Sequence, residues 1–181
     1  MEVIETDLPG VLRLRPRIFA DDRGWFTETW NGARFRELGL ASGFVQDNQS
    51  RSYKNVLRGL HFQLQHPQGK LVRAVAGRIF DVAVDIRRSS PHFGRWTAVE
   101  LDAETPEMLW IPPGFAHGFL VLSESADVLY KTTDFYSAPS ERTIRWDDPI
   151  LAIQWPLSAK PIVSLKDAAG LPFDQSELPI S

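Results

Sequence analysis

Residues 71–86, LVRAVAGRIFDVAVDI, carry the strongest β-strand pattern of the chain. Leu71 to Ala76 is mostly apolar, Gly77 provides a turn, and Arg78 to Ile86 alternates between two faces. This alternation places four large apolar side chains on one face of the second strand: Phe80, Val82, Val84 and Ile86. The stretch therefore predicts two adjacent strands in the core of a β-rich protein.

Further strands are predicted on both sides of this pair, at intervals of about ten residues with turn residues between them. Upstream, Trp25 to Trp30 alternates after a turn at Asp21–Gly24, and Asn31 could cap a short helix that runs to Leu40. The tail from Ile150 to Ser181 is rich in Pro and Asp and is expected to be irregular. Downstream strands are expected at Trp96–Leu101, Met108–Ile111, His117–Leu122 and Val128–Tyr136. This spacing is typical of an all-β sandwich or small barrel.

The composition excludes several classes of protein. The 181 residues contain no linker or repeat, so we expect one domain over residues 1–181. A net charge of −3 argues against a nucleic-acid partner, and the lack of cysteine excludes disulfides, thiolate zinc sites and cysteine nucleophiles. The first residues do not resemble a signal peptide, and no apolar run is long enough for a membrane span. We therefore expect a cytoplasmic protein with no membrane partner.

Residues 56–70 combine strand character with an unusual set of polar side chains: Arg58, His61, Gln63 and Lys70. An imidazole, two cations and an amide could converge on an anionic substrate that must lose a proton. In a regular strand, however, Arg58 and His61 would lie on opposite faces. If both serve one site, the strand must be bulged or twisted between them, and Gly59 is the residue that would permit this.

Two other predicted strands carry polar groups on one face. Gln46, Asn48 and Ser50 could line a polar pocket or could equally belong to a solvated edge strand. Tyr130 and Tyr136 share a face of the strand that begins near Val128, and they could either pack with their hydroxyl groups in water or point into a barrel interior.

The sequence argues against a metal site. A metal-binding cupin barrel normally has two histidines two residues apart, then a carboxylate, then a later histidine. Here Gln63 follows His61 at that spacing, and Lys70 would repel a divalent cation. A Gly-x-Ser-x-Gly nucleophile motif and a glycine-rich phosphate loop are also absent from the sequence. Metal-free acid–base chemistry next to a carbonyl is the remaining interpretation, with a lysine near the oxygen on which negative charge develops.

Nine motifs in order along the chain resemble the dTDP-4-dehydrorhamnose 3,5-epimerase family. They lie at residues 22–28, 45–50, 57–63, 68–73, 80–85, 90–94, 111–119, 130–131 and 164–167. The resemblance implies a cupin-type jelly-roll β-barrel with a few short helices, a homodimer, and no metal or organic cofactor. It also implies the reaction: inversion of C3 and C5 of a dTDP-linked 4-keto-6-deoxyglucose, a step in making activated L-rhamnose.

The resemblance assigns roles to thirteen residues. His61 is the base, Asp167 orients it, Tyr130 is the acid on the opposite face, and Lys70 stabilises the enolate at O4. The substrate-binding residues implied are Arg23 and Arg58 at the diphosphate, Glu28, Gln46 and Asn48 at thymidine or phosphates, Phe26 and Tyr136 near the base, and His117 and Lys166 in the pocket lining.

Two departures from the family pattern leave other functions open. Gln49 stands where the family has a histidine, and His92 stands where a small polar residue is expected. The alternatives are a single-carbon epimerase acting on another dTDP-4-keto sugar, a metal-dependent cupin enzyme, and a barrel that binds sugar nucleotides without catalysis.

Overall fold

The computed structural model describes residues 1–40 and 43–180. The elements are β1 (Glu2–Glu5), β2 (Leu12–Arg15), β3 (Ile18–Asp21), β4 (Gly24–Thr27), α1 (Gly32–Glu37), β5 (Gln46–Tyr53), β6 (Leu57–Gln63), β7 (Lys70–Ala76), β8 (Arg78–Asp85), β9 (Trp96–Asp102), β10 (Met108–Ile111), β11 (Phe115–Val121), β12 (Ser125–Thr132), β13 (Glu141–Thr143) and α2 (Leu165–Ala168). Strands dominate and the two α-helices are short, which confirms the predicted all-β class.

Two antiparallel sheets face each other in a jelly roll. One has the order β1-β2-β10-β7-β12-β5 and the other has the order β13-β6-β11-β8-β9, while β3 and β4 form a separate hairpin. The space between the sheets is filled by apolar side chains that include Val72, Leu109 and Val128 from one sheet and Ile79 and Phe119 from the other. Neighbours in each sheet are mostly distant in sequence, so the barrel closes through long-range pairing.

Strand β8 is buried on both faces. Its residues Ile79 and Ala83 face the core between the sheets. The face that the sequence marked as apolar, including Val82 and Val84, packs instead against the C-terminal tail through residues such as Phe173. A strand covered on both sides needs apolar residues at nearly every position, which explains its composition.

The strand β6 is bulged at Gly59, as predicted. His117 on β11 pairs with His61, and Phe119 pairs with Arg58. Between these two pairs β6 advances by three residues while β11 advances by two, so β6 carries one extra residue. Gly59 has φ +114°, and a Cβ atom there would lie 2.6 Å from the Gly118 Cα. The bulge turns Arg58 to the same face as His61, and only glycine fits at that point.

Several predicted boundaries differ from the structure. The helix α1 is capped by the Asn31 side chain as expected, but it ends at Glu37 because Gly39 adopts φ +70° and leaves the helical path. The strand β4 ends at Thr27 and not at Trp30, and β12 ends at Thr132 and not at Tyr136.

The tail is mostly irregular, as predicted, but it is well packed. Short parallel bridges join Ile162 to Val56 and Leu171 to Ile144, so the tail is attached to the barrel just before β6 and just after β13. The buried Asp148 carboxylate accepts hydrogen bonds from the backbone N–H groups of Leu151 and Phe173, which ties two parts of the tail together. Within residues 1–40 and 43–180, no helix is long and apolar enough to cross a membrane.

Candidate active site

A polar pocket of about 190 Å³ opens at one end of the barrel. The strand period explains its position. Lys70, Val72 and Ala74 share the inner face of β7, so a polar residue at the strand end continues an apolar row. The same holds for Tyr130 beside Val128 on β12. The lining consists of Gln46, Asn48, His61, Phe62, Gln63, Gln68, Lys70, Tyr130, Tyr136 and Glu141.

His61 and Asp167 form a hydrogen-bonded pair at the edge of this pocket. The His61 Nε2 atom lies 2.5 Å from the Asp167 Oδ1 atom, although the residues are 106 positions apart. Asp167 sits in α2, which begins where the Ser164 side chain caps the Asp167 N–H, and its second oxygen faces the Gly59 N–H at 3.4 Å. The bulge in β6 and the cap of α2 therefore place the two side chains together.

The protonation pattern of this pair follows from the carboxylate. Burial alone would raise the pKa of Asp167, but the hydrogen bond from His61 and the charge of His61 outweigh it, so the pKa is lowered. An ionised Asp167 can only accept a hydrogen bond, so Nε2 of His61 carries the proton that it donates. In the neutral imidazole this leaves the lone pair on Nδ1, which is the atom able to act as a base.

Lys70 is buried at the start of β7, with 8% of its surface exposed. Burial lowers the pKa of Lys70 from 10.5 to about 8, partly offset by the charges of Asp81 and Glu141. The ammonium group therefore remains mostly charged near neutral pH. Its Nζ atom lies 3.4 Å from the backbone carbonyl oxygen of His61, and both side chains line the pocket.

Tyr130 lies on the neighbouring strand β12, between Val72 on one side and Asn48 on the other. Burial raises the pKa of its phenol, and the charge of Arg58 partly opposes this. The hydroxyl group therefore holds its proton at neutral pH and can serve as an acid. Its position in the lining resolves the choice left open by the sequence, because Tyr130 faces the barrel interior.

Sequence reasoning missed a second histidine–aspartate pair beneath the pocket. The Nε2 atom of His117 lies 2.6 Å from the Oδ1 atom of Asp81, and both side chains are buried. Burial lowers the pKa of His117, with the charge and hydrogen bond of Asp81 opposing. His117 on β11 pairs with His61 on β6. It lies outside the pocket lining, although the resemblance implied that it would be part of that lining. An aspartate between the inward Ile79 and Ala83 was the available signal, because carboxylates are rarely buried without a purpose.

Glu141 was also missed. It accepts a hydrogen bond of 2.7 Å from the Tyr136 hydroxyl and forms an ion pair with Lys166. Burial would raise the pKa of Glu141, but the hydrogen bonds from Lys166 and Tyr136 lower it overall. The carboxylate thus joins β13, the segment after β12 and helix α2 at the pocket rim, and it brings Lys166 there.

Two of the three polar residues predicted on β5 line the pocket. The Gln46 side chain donates to the Asn48 side chain at 2.8 Å, and both face the cavity, whereas Ser50 lies farther along the strand outside the lining. Arg58 contacts the Ser52 hydroxyl at 2.9 Å on the same inner face, and it remains exposed. β5 is also the edge strand of its sheet, so both interpretations of these polar residues hold in part: the strand lies at the sheet edge, and Gln46 and Asn48 face the pocket.

Three residues implied by the resemblance lie apart from this pocket within the chain. Arg23 and Phe26 belong to the β3–β4 hairpin and line a different cavity, where Arg23 pairs with Asp21. Glu28 follows the hairpin and contacts the Asn31 amide and the Arg34 guanidinium. Among the described residues, no three His, Asp or Glu side chains are grouped so that they could hold a metal ion.

Comparisons with known proteins agree with the resemblance. A family model described as dTDP-4-dehydrorhamnose 3,5-epimerase matches residues 5–175. The proteins of that name from Salmonella typhimurium and Pseudomonas aeruginosa are 55% identical over 180 residues and 52% identical over 178 residues, with 98% of each chain covered in both cases. A solved dTDP-6-deoxy-D-glucose-3,5-epimerase from Legionella pneumophila, in complex with dTDP-4-keto-L-rhamnose, has a TM-score of 0.97 at 49% identity, covering 99% of this chain and 98% of that one.

Proposed function

Because the chain belongs to the dTDP-4-dehydrorhamnose 3,5-epimerase family, we propose that it inverts C3 and C5 of dTDP-4-dehydro-6-deoxy-D-glucose to give dTDP-4-dehydro-L-rhamnose. One observation carries the proposal. Three groups line a single pocket: the His61 imidazole, which a carboxylate orients, the buried Lys70 ammonium and the half-buried Tyr130 phenol. These are the groups that a metal-free epimerisation next to a ketone requires.

The first half of each inversion is proton abstraction. Nδ1 of His61 takes the proton from the carbon beside the ketone, the C–H electron pair moves into the adjacent C–C bond, and the carbonyl oxygen becomes an enolate oxygen. Asp167 stabilises the imidazolium that forms, and the Lys70 ammonium stabilises the enolate at O4. A fixed donor at a developing oxyanion is typically worth about 2.7–4 kcal/mol of barrier.

The second half is protonation from the other face. The Tyr130 hydroxyl donates its proton to the same carbon, the enolate returns to the ketone, and configuration is inverted. The base and the acid then recover their original protonation states through solvent. Repeating the cycle at the second carbon requires only that the sugar present C3 and C5 in turn to the same pair of groups.

Substrate binding uses the surrounding polar residues. Gln46 and Asn48 hydrogen-bond the nucleotide, Tyr136 packs near the base, and the Arg58 guanidinium binds the diphosphate, for which its fork geometry is suited. His117 and Lys166 support the pocket from beneath and from the rim. No metal or organic cofactor is part of this scheme.

The active unit is a homodimer in which the β3–β4 hairpin of one copy reaches the pocket of the other. Phe19, Trp25 and Phe26 are 51%, 58% and 67% exposed on this hairpin, an apolar patch that a monomer would leave in water. Arg23, Phe26 and Glu28 lie away from the pocket of their own chain, and a second copy would bring them to it. Sedimentation that finds only monomer at working concentration would refute this arrangement.

Proton NMR in heavy water, with the 4-keto-6-deoxyglucose nucleotide and no added metal, tests the proposed function. We expect deuterium at both C3 and C5 together with formation of the L-rhamno product. His61→Ala should abolish exchange, while His66→Asn should retain it, because His66 is an exposed histidine with a left-handed backbone (φ 57°) that asparagine tolerates.

The same spectra separate the alternatives. Exchange at one carbon alone would indicate a single-carbon epimerase, and binding of dTDP without exchange would indicate a non-catalytic binding protein. Activity that disappears with a chelator and returns with a metal would identify a metal-dependent enzyme instead.

A further inference from the structure

We propose that Gln63 is a positioning residue that holds segment 134–137, and through it Tyr136, in place for binding the nucleoside part of the substrate. The inference rests on the proposed function. It gives a positioning role to Gln63, a residue that the resemblance leaves without one and whose amide the sequence suggested only as a direct contact to an anionic substrate.

Within residues 1–40 and 43–180, segment 134–137 pairs with no strand. The ladder of β12 with β5 and β7 ends at Thr132, and the next regular turn begins at Ala138. The backbone between them is held by glutamine side chains from three places, and the Asp134 carbonyl also accepts a hydrogen bond of 2.9 Å from the Thr132 hydroxyl. Gln68 Nε2 donates to the Asp134 carbonyl at 2.8 Å, Gln63 Nε2 donates to the Phe135 carbonyl at 3.2 Å, the Tyr136 N–H donates to Gln46 Oε1 at 3.0 Å, and the Ser137 N–H donates to Gln63 Oε1 at 2.7 Å.

Gln63 is the central member of this set. Besides the Phe135 carbonyl, its Nε2 group donates to the His66 carbonyl at 2.7 Å, so both amide protons are used. Its oxygen accepts from the Ser137 N–H, and only 6% of the residue is exposed. Gln63 therefore has no amide proton left for a ligand, and its hydrogen bonds with Phe135 and Ser137 give it a route to the substrate through the segment that it holds.

The segment matters because Tyr136 is poorly held by packing. Its side chain is 54% exposed, and its one side-chain hydrogen bond among the described residues runs to Glu141. The position of the ring in the pocket wall is therefore set mainly by the backbone that Gln63 and Gln46 fix. Ser137, bonded to Gln63, also leads into the turn before β13, where Glu141 lies.

The groups proposed for chemistry are held differently. His61, Lys70 and Tyr130 sit on β6, β7 and β12, whose ladders do not involve segment 134–137. Loosening the segment should therefore weaken nucleotide binding and leave turnover at saturating substrate nearly unchanged. A residue that only supported the fold would instead reduce stability, kcat and binding together.

The test is Gln63→Glu, compared with Gln65→Glu as a matched control. Each variant adds one negative charge, and the two sites are two positions apart in the sequence. Gln65 is exposed, and its side chain has no hydrogen bond among the described residues. The glutamate at position 63 keeps the acceptor for Ser137 but faces two carbonyl oxygens without a proton to give. We expect KM and the calorimetric Kd for dTDP to rise about tenfold or more, with kcat within about twofold, and no such change in the control.

A double-mutant cycle identifies the route of the effect. If Gln63 acts through Tyr136, then Gln63→Glu added to Tyr136→Ala should weaken dTDP binding much less than it does alone. Full additivity, an unchanged Kd, or a loss of kcat with KM retained would overturn the inference. If Gln63→Glu does not fold, the uncharged Gln63→Met removes the hydrogen bonds to Phe135 and Ser137 and should raise the Kd for dTDP several-fold; an unchanged Kd there would also overturn the inference.

The two proposals fail in distinguishable ways. Wild-type protein that binds dTDP but does not exchange substrate protons would refute the proposed reaction. The effect of Gln63→Glu on dTDP affinity would still decide the role of the segment, because that measurement needs no turnover.

Discussion

Replacing Lys70 by methionine should make the protein more stable and nearly inactive. Lys70 is buried at the start of β7, and burial is the main reason that its pKa falls from 10.5 to about 8. Such a shift means that the folded protein tolerates the ammonium less well than water does. Methionine has a similar length and no charge, so it fills the space without this penalty.

The size of the effect follows from the pKa shift. Each unit corresponds to about 1.4 kcal/mol, so the charged Lys70 costs the folded state about 3 kcal/mol near pH 7. Between pH 8 and 10.5, the unfolded chain holds the proton and the folded chain does not. The stability of the wild type therefore rises with pH in that window, and the advantage of Lys70→Met should shrink to about 1 kcal/mol near pH 9.5. Activity should fall although stability rises, because loss of the cation at the enolate oxygen should lower kcat by about 10²–10³-fold.

Urea unfolding near pH 7 and near pH 9.5, with kcat from the NMR assay, measures both effects. Lys54→Met is the control, because Lys54 is an exposed lysine paired with the exposed Glu124, and its loss should change stability by less than about 0.5 kcal/mol. Two results would refute the claim that burial of the Lys70 ammonium costs stability: a Lys70→Met variant no more stable than the wild type near pH 7, or a gain in stability that does not depend on pH.

Three further substitutions test the geometry. Asp167→Asn should lower kcat about 10–100-fold with KM retained, because the charge-assisted bond that orients His61 and stabilises its imidazolium is lost; steady-state kinetics with equal kcat in both proteins would contradict it. Tyr130→Phe should keep deuterium exchange but slow inversion, and NMR spectra in which both are lost equally would remove its role as acid. Gly59→Ala should lower the free energy of unfolding by at least about 2 kcal/mol, since its Cβ would lie 2.6 Å from the Gly118 Cα in a backbone region that alanine avoids; denaturant melts that match the wild type would refute the bulge argument.

The sequence alone indicated the local features correctly. Alternation along residues 78–86 reported a strand because the side-chain period of a strand is fixed by its backbone. The conflict between Arg58 and His61 over strand faces, with Gly59 between them, predicted the bulge for the same reason. The end of β12 was misplaced because contacts from distant residues replace the ladder after Thr132, where glutamine side chains hold the backbone in place of a strand, whereas the end of α1 was misplaced for a local reason, the positive φ of Gly39.

The pairing of distant groups was decided only by the tertiary structure. Asp167 meets His61 from 106 positions away, Asp81 lies under His117, and Glu141 joins Tyr136 to Lys166. No local pattern encodes these contacts, because they depend on how sheets and tail close around one another. The same closure buries Lys70 and sets its pKa, whereas an isolated strand would leave the lysine in water. The sequence thus determined which chemical groups the chain carries, and the packing of the barrel determined which of them meet and in what state of charge.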